Sequence, residues 1–222
     1  MLEGNVIIVA AHPDDETVGM GATINKLVNS GNRVQVLFLS DGVSSRNILR
    51  EDTDARQQSA ISALEKLGCK EVYFNDFPDN QLDTVPLLEI CKVIEDRFTS
   101  FLPETVFTHF PFDLNIDHQL VSEAVTIASR PKSSSKIKNL FYFEVLSSTG
   151  WKFGSRVFSP NLFIEIDNEF ELKLQALQKY QKEMDPYPNA RSFEAIEALA
   201  IFRGASAGKK KSEAFEVGFI RK

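Results

Sequence analysis

Short apolar runs alternate with segments of helical period along the first two-thirds of this 222-residue chain. No other feature limits the possible folds as strongly. Val6-Ile7-Ile8-Val9-Ala10 has no polar break, as expected of a strand covered on both faces. A helix is predicted over residues 17–30, with Ile24, Leu27 and Val28 at helical spacing and Gly31 as its C-cap. The rhythm continues with strands over 34–39, 71–74 and 105–108 and helices over 55–67, 87–98 and 119–129. Strand–helix–strand repetition calls for right-handed crossovers. The expected fold is α/β and Rossmann-like, a mostly parallel sheet flanked by helices.

The last third departs from this pattern. Strands are predicted over 140–145 and 162–166, with a loop rich in Ser, Thr and Gly between them. Helices are expected over 169–184 and 192–204, and a short strand near 215–217. Without internal repeats or a low-complexity linker, the reading is one domain over 1–222, with a core at 1–146 and a C-terminal extension at 147–222. Hydrophobic residues make up 43% of the chain and charged ones 25%, which supports a packed core. The net charge of −6 leaves no basic field for a nucleic-acid backbone. No apolar run reaches the roughly 18–20 residues that a membrane span needs, and no basic stretch precedes the first apolar run. Cys69 and Cys91 are too few for a disulfide scaffold and are assigned to no metal. A cytoplasmic protein is expected, with self-association into a homo-oligomer left open.

The three histidines carry the chemistry. His12 follows the first predicted strand, His109 ends the fourth, and His118 opens the next helix. Ligands of open α/β sheets bind outside the carboxyl ends of the strands, so all three are placed at one rim. Asp14, Asp15, Glu16, Asp113 and Asp117 accompany them. Residues three apart share one side of a helical turn, so His12 and Asp15 can reach one ion together. Asp14 is then free to act on water, and His118 completes a His-Asp-His set with an open position, as a catalytic zinc requires. Carboxylates also favour helix N-termini, but capping needs one acid rather than three directly behind His-Pro.

Ala11-His12-Pro13-Asp14-Asp15-Glu16 resembles the signature of the PIG-L/LmbE-like zinc N-deacetylases. Thr108-His109 followed by Asp113-Leu114-Asn115-Ile116-Asp117-His118 resembles the second motif of that family. The resemblance implies one zinc per chain, held by His12, Asp15 and His118, and Asp14 as the general base. It implies that Asp117 orients a nearby imidazole and that Arg56 contacts substrate. Many members carry histidine where this chain has Asn115, which can donate a hydrogen bond to an oxyanion but cannot transfer a proton. Asp79, in the Phe77-Pro78-Asp79-Asn80 turn, could face the same crevice; Trp151 could stack on a sugar ring, although a lone tryptophan is more often a packing anchor. For Arg56 the alternative is a surface pairing with Asp52 or Glu51.

The implied reaction removes an acetyl group from the nitrogen of an N-acetylated amino sugar or its glycoside. Loops 41–54, 76–85 and 147–160 are expected to set which sugar. Two other readings compete. A catalytically impaired sugar-binding module would explain Asn115 but not the intact His12, Asp14, Asp15 and His118. A dinucleotide-binding enzyme would need a third glycine where Ile24 stands in Gly19-Met20-Gly21-Ala22-Thr23-Ile24.

Overall fold

Strand β1 (Asn5–Ala10) shows why its sequence is apolar without a break: Val6, Ile8 and Ala10 enter one core while Ile7 and Val9 enter another. The computed structural model describes residues 2–46, 50–131 and 135–221. Among them the remaining strands are β2 (Arg33–Ser40), β3 (Glu71–Phe77), β4 (Thr105–His109), β5 (Asn139–Phe143), β6 (Leu162–Glu165) and β7 (Ser212–Ile220). They form one sheet in the order β3-β2-β1-β4-β5-β7-β6. The first five in that order run parallel, and β7 is antiparallel to both β5 and β6. The mostly parallel α/β sheet is as expected.

Helices cover both faces. On one side α1 (Asp15–Asn29), α2 (Arg50–Lys66), α5 (Phe170–Leu177) and α6 (Phe193–Ser206) supply Ile24, Leu64, Leu177 and Ile196 to the core. On the other, α3 (Leu87–Phe101) and α4 (Ile116–Ala128) supply Ile94 and Val121. Strand order reverses between β1 and β4, which opens a crevice at their carboxyl ends. His12 follows β1, His109 ends β4, and His118 lies in the first turn of α4.

Three expectations need correction. The helix over 169–184 stops at Leu177 and tightens into a 3-10 segment, Gln178–Glu183. Tyr180 leaves helical geometry there (φ −101°, ψ 37°) and donates its hydroxyl to buried Glu16 at 2.8 Å. The final strand has nine residues rather than three, because Ser212, Glu213 and Glu216 are buried despite their polarity. Trp151 is 54% exposed, and its ring meets exposed Phe153 edge-on at 5.9 Å, so it is no packing anchor.

Helix α1 is broken at Met20 (φ −151°, ψ 25°), which leaves backbone groups without helical partners. A buried ion pair from the last third of the chain satisfies them. Glu213 accepts from the N–H groups of Ala22 and Thr23 at 3.2 and 2.7 Å. Lys173 donates to the carbonyl of Val18 at 2.8 Å and to Glu213 at 2.6 Å. Gly19 adds the close approach: a Cβ there would lie 2.6 Å from the Phe143 ring. Removing one partner of a buried pair strands the other charge, so Glu213→Ala is expected to cost about 3–5 kcal/mol. Urea unfolding measures this; a loss below about 1 kcal/mol would mean that water replaces the carboxylate without penalty.

Candidate active site

His12, Asp15 and His118 converge on the crevice with ligand atoms within 4.8 Å of one another. Asp15 Oδ2 lies 3.1 Å from His12 Nδ1 and 3.2 Å from His118 Nε2. Burial opposes charge on His118, but Asp15 and Asp113 outweigh it and lift the imidazole to about 9. Burial likewise opposes charge on His12, and its hydrogen bonds to Asp117, Asp15 and Asp79 raise it well above the ordinary histidine value. Asp15 is held well below the usual carboxylate range; burial works against this, and His118 and His12 prevail. Such a cluster seeks a cation. Protons serve when no metal is bound.

Two carboxylates aim these imidazoles. Asp117 Oδ2 meets His12 Nε2 at 3.0 Å, while its oxygens also accept from the N–H groups of Asn80 and Leu82 at 2.7 and 3.0 Å. His12 Nδ1 is thereby turned towards Asp15. Asp113 Oδ1 lies 3.2 Å from His118 Nδ1, and Thr149 and Ser148 donate to Asp113 Oδ2 at 2.5 and 3.1 Å. That leaves His118 Nε2 facing the crevice. Orienting carboxylates of this kind fix which ring nitrogen is free to bind a metal.

The donor set suits a divalent ion. Asp15 Oδ1 is buried without a hydrogen-bond partner, and His118 Nε2 faces only the Asp15 carboxylate. His12, Asp79 and Asp117 also lie close enough to share an ion. Their carboxylates are already engaged, Asp117 by backbone N–H groups and Asp79 by Ser45 and Asn80. His109 stands outside either set. Its Nε2 accepts from the Ala11 N–H at 2.8 Å, and its ring stacks on His118 at 3.9 Å. Burial and neighbouring His118 push it well below the ordinary histidine value, so it stays neutral.

Asp14 is 1% exposed and adopts φ 126°, a conformation that side-chain-bearing residues rarely take. Glu16 Oε2 accepts its N–H at 3.0 Å. Burial pushes the Glu16 carboxyl up to about 7. Asp14 Oδ2 receives Arg56 Nη2 at 3.2 Å and also the guanidinium of Arg191. The sequence reading left this carboxylate free, but the structure pairs it. Arg56 is 7% exposed and bonded to Glu183 as well, so it is no surface residue; the side chains of Glu51 and Asp52 lie outside the described residues.

Asn115 is the N-cap of α4. Its Oδ1 accepts from the N–H groups of Asp117 and His118 at 2.8 and 3.3 Å, and its Nδ2 donates to Asn80 at 3.0 Å. Asp79 Oδ1 sits 3.1 Å from His12 Nε2. His12, Asp14, Asp79, Asn115, His118 and Arg191 are among the walls of a cavity of about 220 Å³. Sequence reasoning missed Arg191, which comes from the last third of the chain, and gave Glu183 and Asp113 no specific role although both lie in stretches that resemble the family. The five-residue offset between Asp113 and His118 was the one available signal.

Fold and site together define an α/β protein whose strand-end crevice gathers a buried His-Asp-His set. Residues 7–129, more than half of the chain, match the PIG-L family, described as GlcNAc-PI de-N-acetylase, and the chain belongs to that family. A diacetylchitobiose deacetylase of Thermococcus kodakarensis is 27% identical over 233 residues, covering 94% of this chain and 80% of that protein. The structure of the conserved protein TT1542 from Thermus thermophilus superposes with a TM-score of 0.80 at 22% identity, covering 100% of this chain and 97% of that one. The 4-carboxy-2-hydroxymuconate hydratase GalB of Pseudomonas putida gives 0.76 at 22%, covering 100% and 98%. A hydratase shares the fold, so the reaction has to be argued from the site.

Metal and protons compete for the same lone pairs. Because His118 stands near 9 in the metal-free protein, zinc uptake at pH 7 is expected to release protons and to tighten as pH rises towards 9. The sign for folding is the reverse. The raised imidazole stabilises the metal-free protein fully below about 6.5, and that contribution is lost as pH climbs through about 9. Calorimetry of zinc binding in two buffers of different ionisation enthalpy counts the protons; none released at pH 7 would refute the charged cluster.

Proposed function

We propose that the chain is a zinc-dependent N-deacetylase that hydrolyses the amide of an N-acetylated amino sugar or its glycoside. The observation that carries this reading is Asp14 Oδ1, a buried carboxylate oxygen without a partner, beside the His12, Asp15 and His118 donors in one cavity. Zinc held by those three residues would polarise the amide carbonyl and lower the pKa of water to about 7.

The protein's own groups supply the rest. Asp14 Oδ1 takes a proton from the attacking water, whose oxygen bonds to the carbonyl carbon. As the carbon–nitrogen bond breaks, Asp14 returns that proton to the departing nitrogen, and acetate and a free amine result. Asn115 Nδ2 has one hydrogen committed to Asn80, and its second donates to the substrate carbonyl as charge develops there. Arg56 and Asp79, both on the cavity wall, meet the sugar hydroxyls. The proposal extends to one domain over 1–222, a cytoplasmic location and a small-molecule substrate. Among the described residues, no helix is long and apolar enough to cross a membrane.

Neither rival accounts for the site as well. A pyrophosphate at the start of α1 would meet Asp14, Asp15 and Glu16, where the helix N-terminus would otherwise attract it. A sugar-binding module has no use for a carboxylate oxygen held open beside a metal site. Acetate release from a panel of N-acetylated sugars, with and without added zinc, tests the reaction. Asp14→Asn is expected to keep the metal and lose about 10²-fold or more in turnover, while Asp15→Ala is expected to lose the metal. Metal loss in Asp14→Asn with retention in Asp15→Ala would exchange the two roles.

A further inference from the structure

Every polar atom of Asp14 except one has a partner. Its N–H donates to Glu16, and its carbonyl accepts from the N–H groups of Thr17 and Val18 at 3.0 and 2.8 Å. Oδ2 takes Arg56 and Arg191, and only Oδ1 is left over. A backbone at φ 126° persists only where its surroundings over-determine it. The two arginines contribute differently. Arg56 is buried, is also tied to Glu183, and its guanidinium lies 5.7 Å from the Tyr180 ring centre. Arg191 has a side chain 26% exposed and reaches the carboxylate from the loop before α6.

That loop is built to deliver it. Asn189 Oδ1 accepts the Arg191 N–H at 2.8 Å, and Asn189 Nδ2 donates to Asp185 at 3.1 Å. The next residue, Ser192, caps α6 by accepting the Ala195 N–H at 3.0 Å. The arginine therefore projects from a knitted turn anchored on a helix start. It lies outside the stretch that matches the family, residues 7–129.

We infer that Arg191 is a positioning residue that acts through Asp14: it occupies Oδ2 and so presents Oδ1 alone to the reacting water. The inference rests on the deacetylase reading. Misplacement of a catalytic group by about 1 Å can cost on the order of 10²-fold, and a guanidinium matches a carboxylate better than a lysine ammonium does.

The test measures kcat and KM for acetate release by wild type, Arg191→Ala and Arg191→Lys, all zinc-loaded, with zinc content and thermal unfolding measured on each. Arg191→Ala is expected to lower kcat about 10- to 100-fold with KM within about threefold of wild type. Its zinc content should be unchanged, and Arg191→Lys should recover part of the loss. Added guanidinium ion, at concentrations that leave wild type unaffected, should partly restore Arg191→Ala but not Asp14→Asn. A raised KM with unchanged kcat would make Arg191 a substrate contact and overturn the inference. So would full activity in Arg191→Ala, or a loss explained by unfolding or missing zinc while Arg191→Lys folds and behaves as wild type. Absence of acetate release by wild type on every sugar tested would instead sink the deacetylase reading itself.

Discussion

Buried negative charge is the constraint from which this site follows. Asp14, Asp15, Asp79, Asp113 and Asp117 are each at most 3% exposed and meet at the end of one parallel sheet. Carboxylates removed from water are costly unless paired and hydrogen-bonded. Each solution in the structure is local. Asp117 and Asp113 face opposite imidazoles, Asp14 faces two guanidinium groups, and Asp15 faces His12 and His118. Among these carboxylates Asp15 alone lies beside two imidazoles, which makes it the centre of the candidate metal set.

How much of this could be read from the chain depends on how local each signal is. The strand alternation of Val6-Ile7-Ile8-Val9-Ala10 and the His12/Asp15 spacing are written in adjacent residues and report directly on burial and reach. The topological switch follows from strand–helix alternation, so His12 and His118 could be placed at one rim before any coordinates. Long-range pairings of charged residues leave no such trace. Nothing in Arg191 distinguishes it from a solvated arginine, and Glu213 sits in a strand whose buried carboxylates disguise it. Asn115 was legible as a departure from a family pattern but not as a cap. The Asn–x–Asp–His order fits either role until Oδ1 is seen on two backbone N–H groups.

The last third of the chain is better understood as reinforcement for the first helix than as an appendage. Lys173 and Glu213 splice the break in α1, Tyr180 holds Glu16, and Arg191 holds Asp14. All three sets of contacts end between Asp14 and Thr23. The family match over 7–129 contains His12, Asp15 and His118, yet the strained backbone that carries Asp14 is held partly by residues beyond it.

This division explains why the fold can serve more than one reaction. A hydratase has this fold, and a relative of this chain is a deacetylase. What separates them has to lie in the groups that receive the substrate and fix the direction of attack. In the proposed reaction those groups are the Asp14 oxygen left open, the Asn115 amide hydrogen not given to Asn80, and the polar wall formed by Arg56 and Asp79. In the proposed reaction an amide would be held with its carbonyl oxygen towards the Asn115 amide and its nitrogen towards Asp14, since both residues line one cavity.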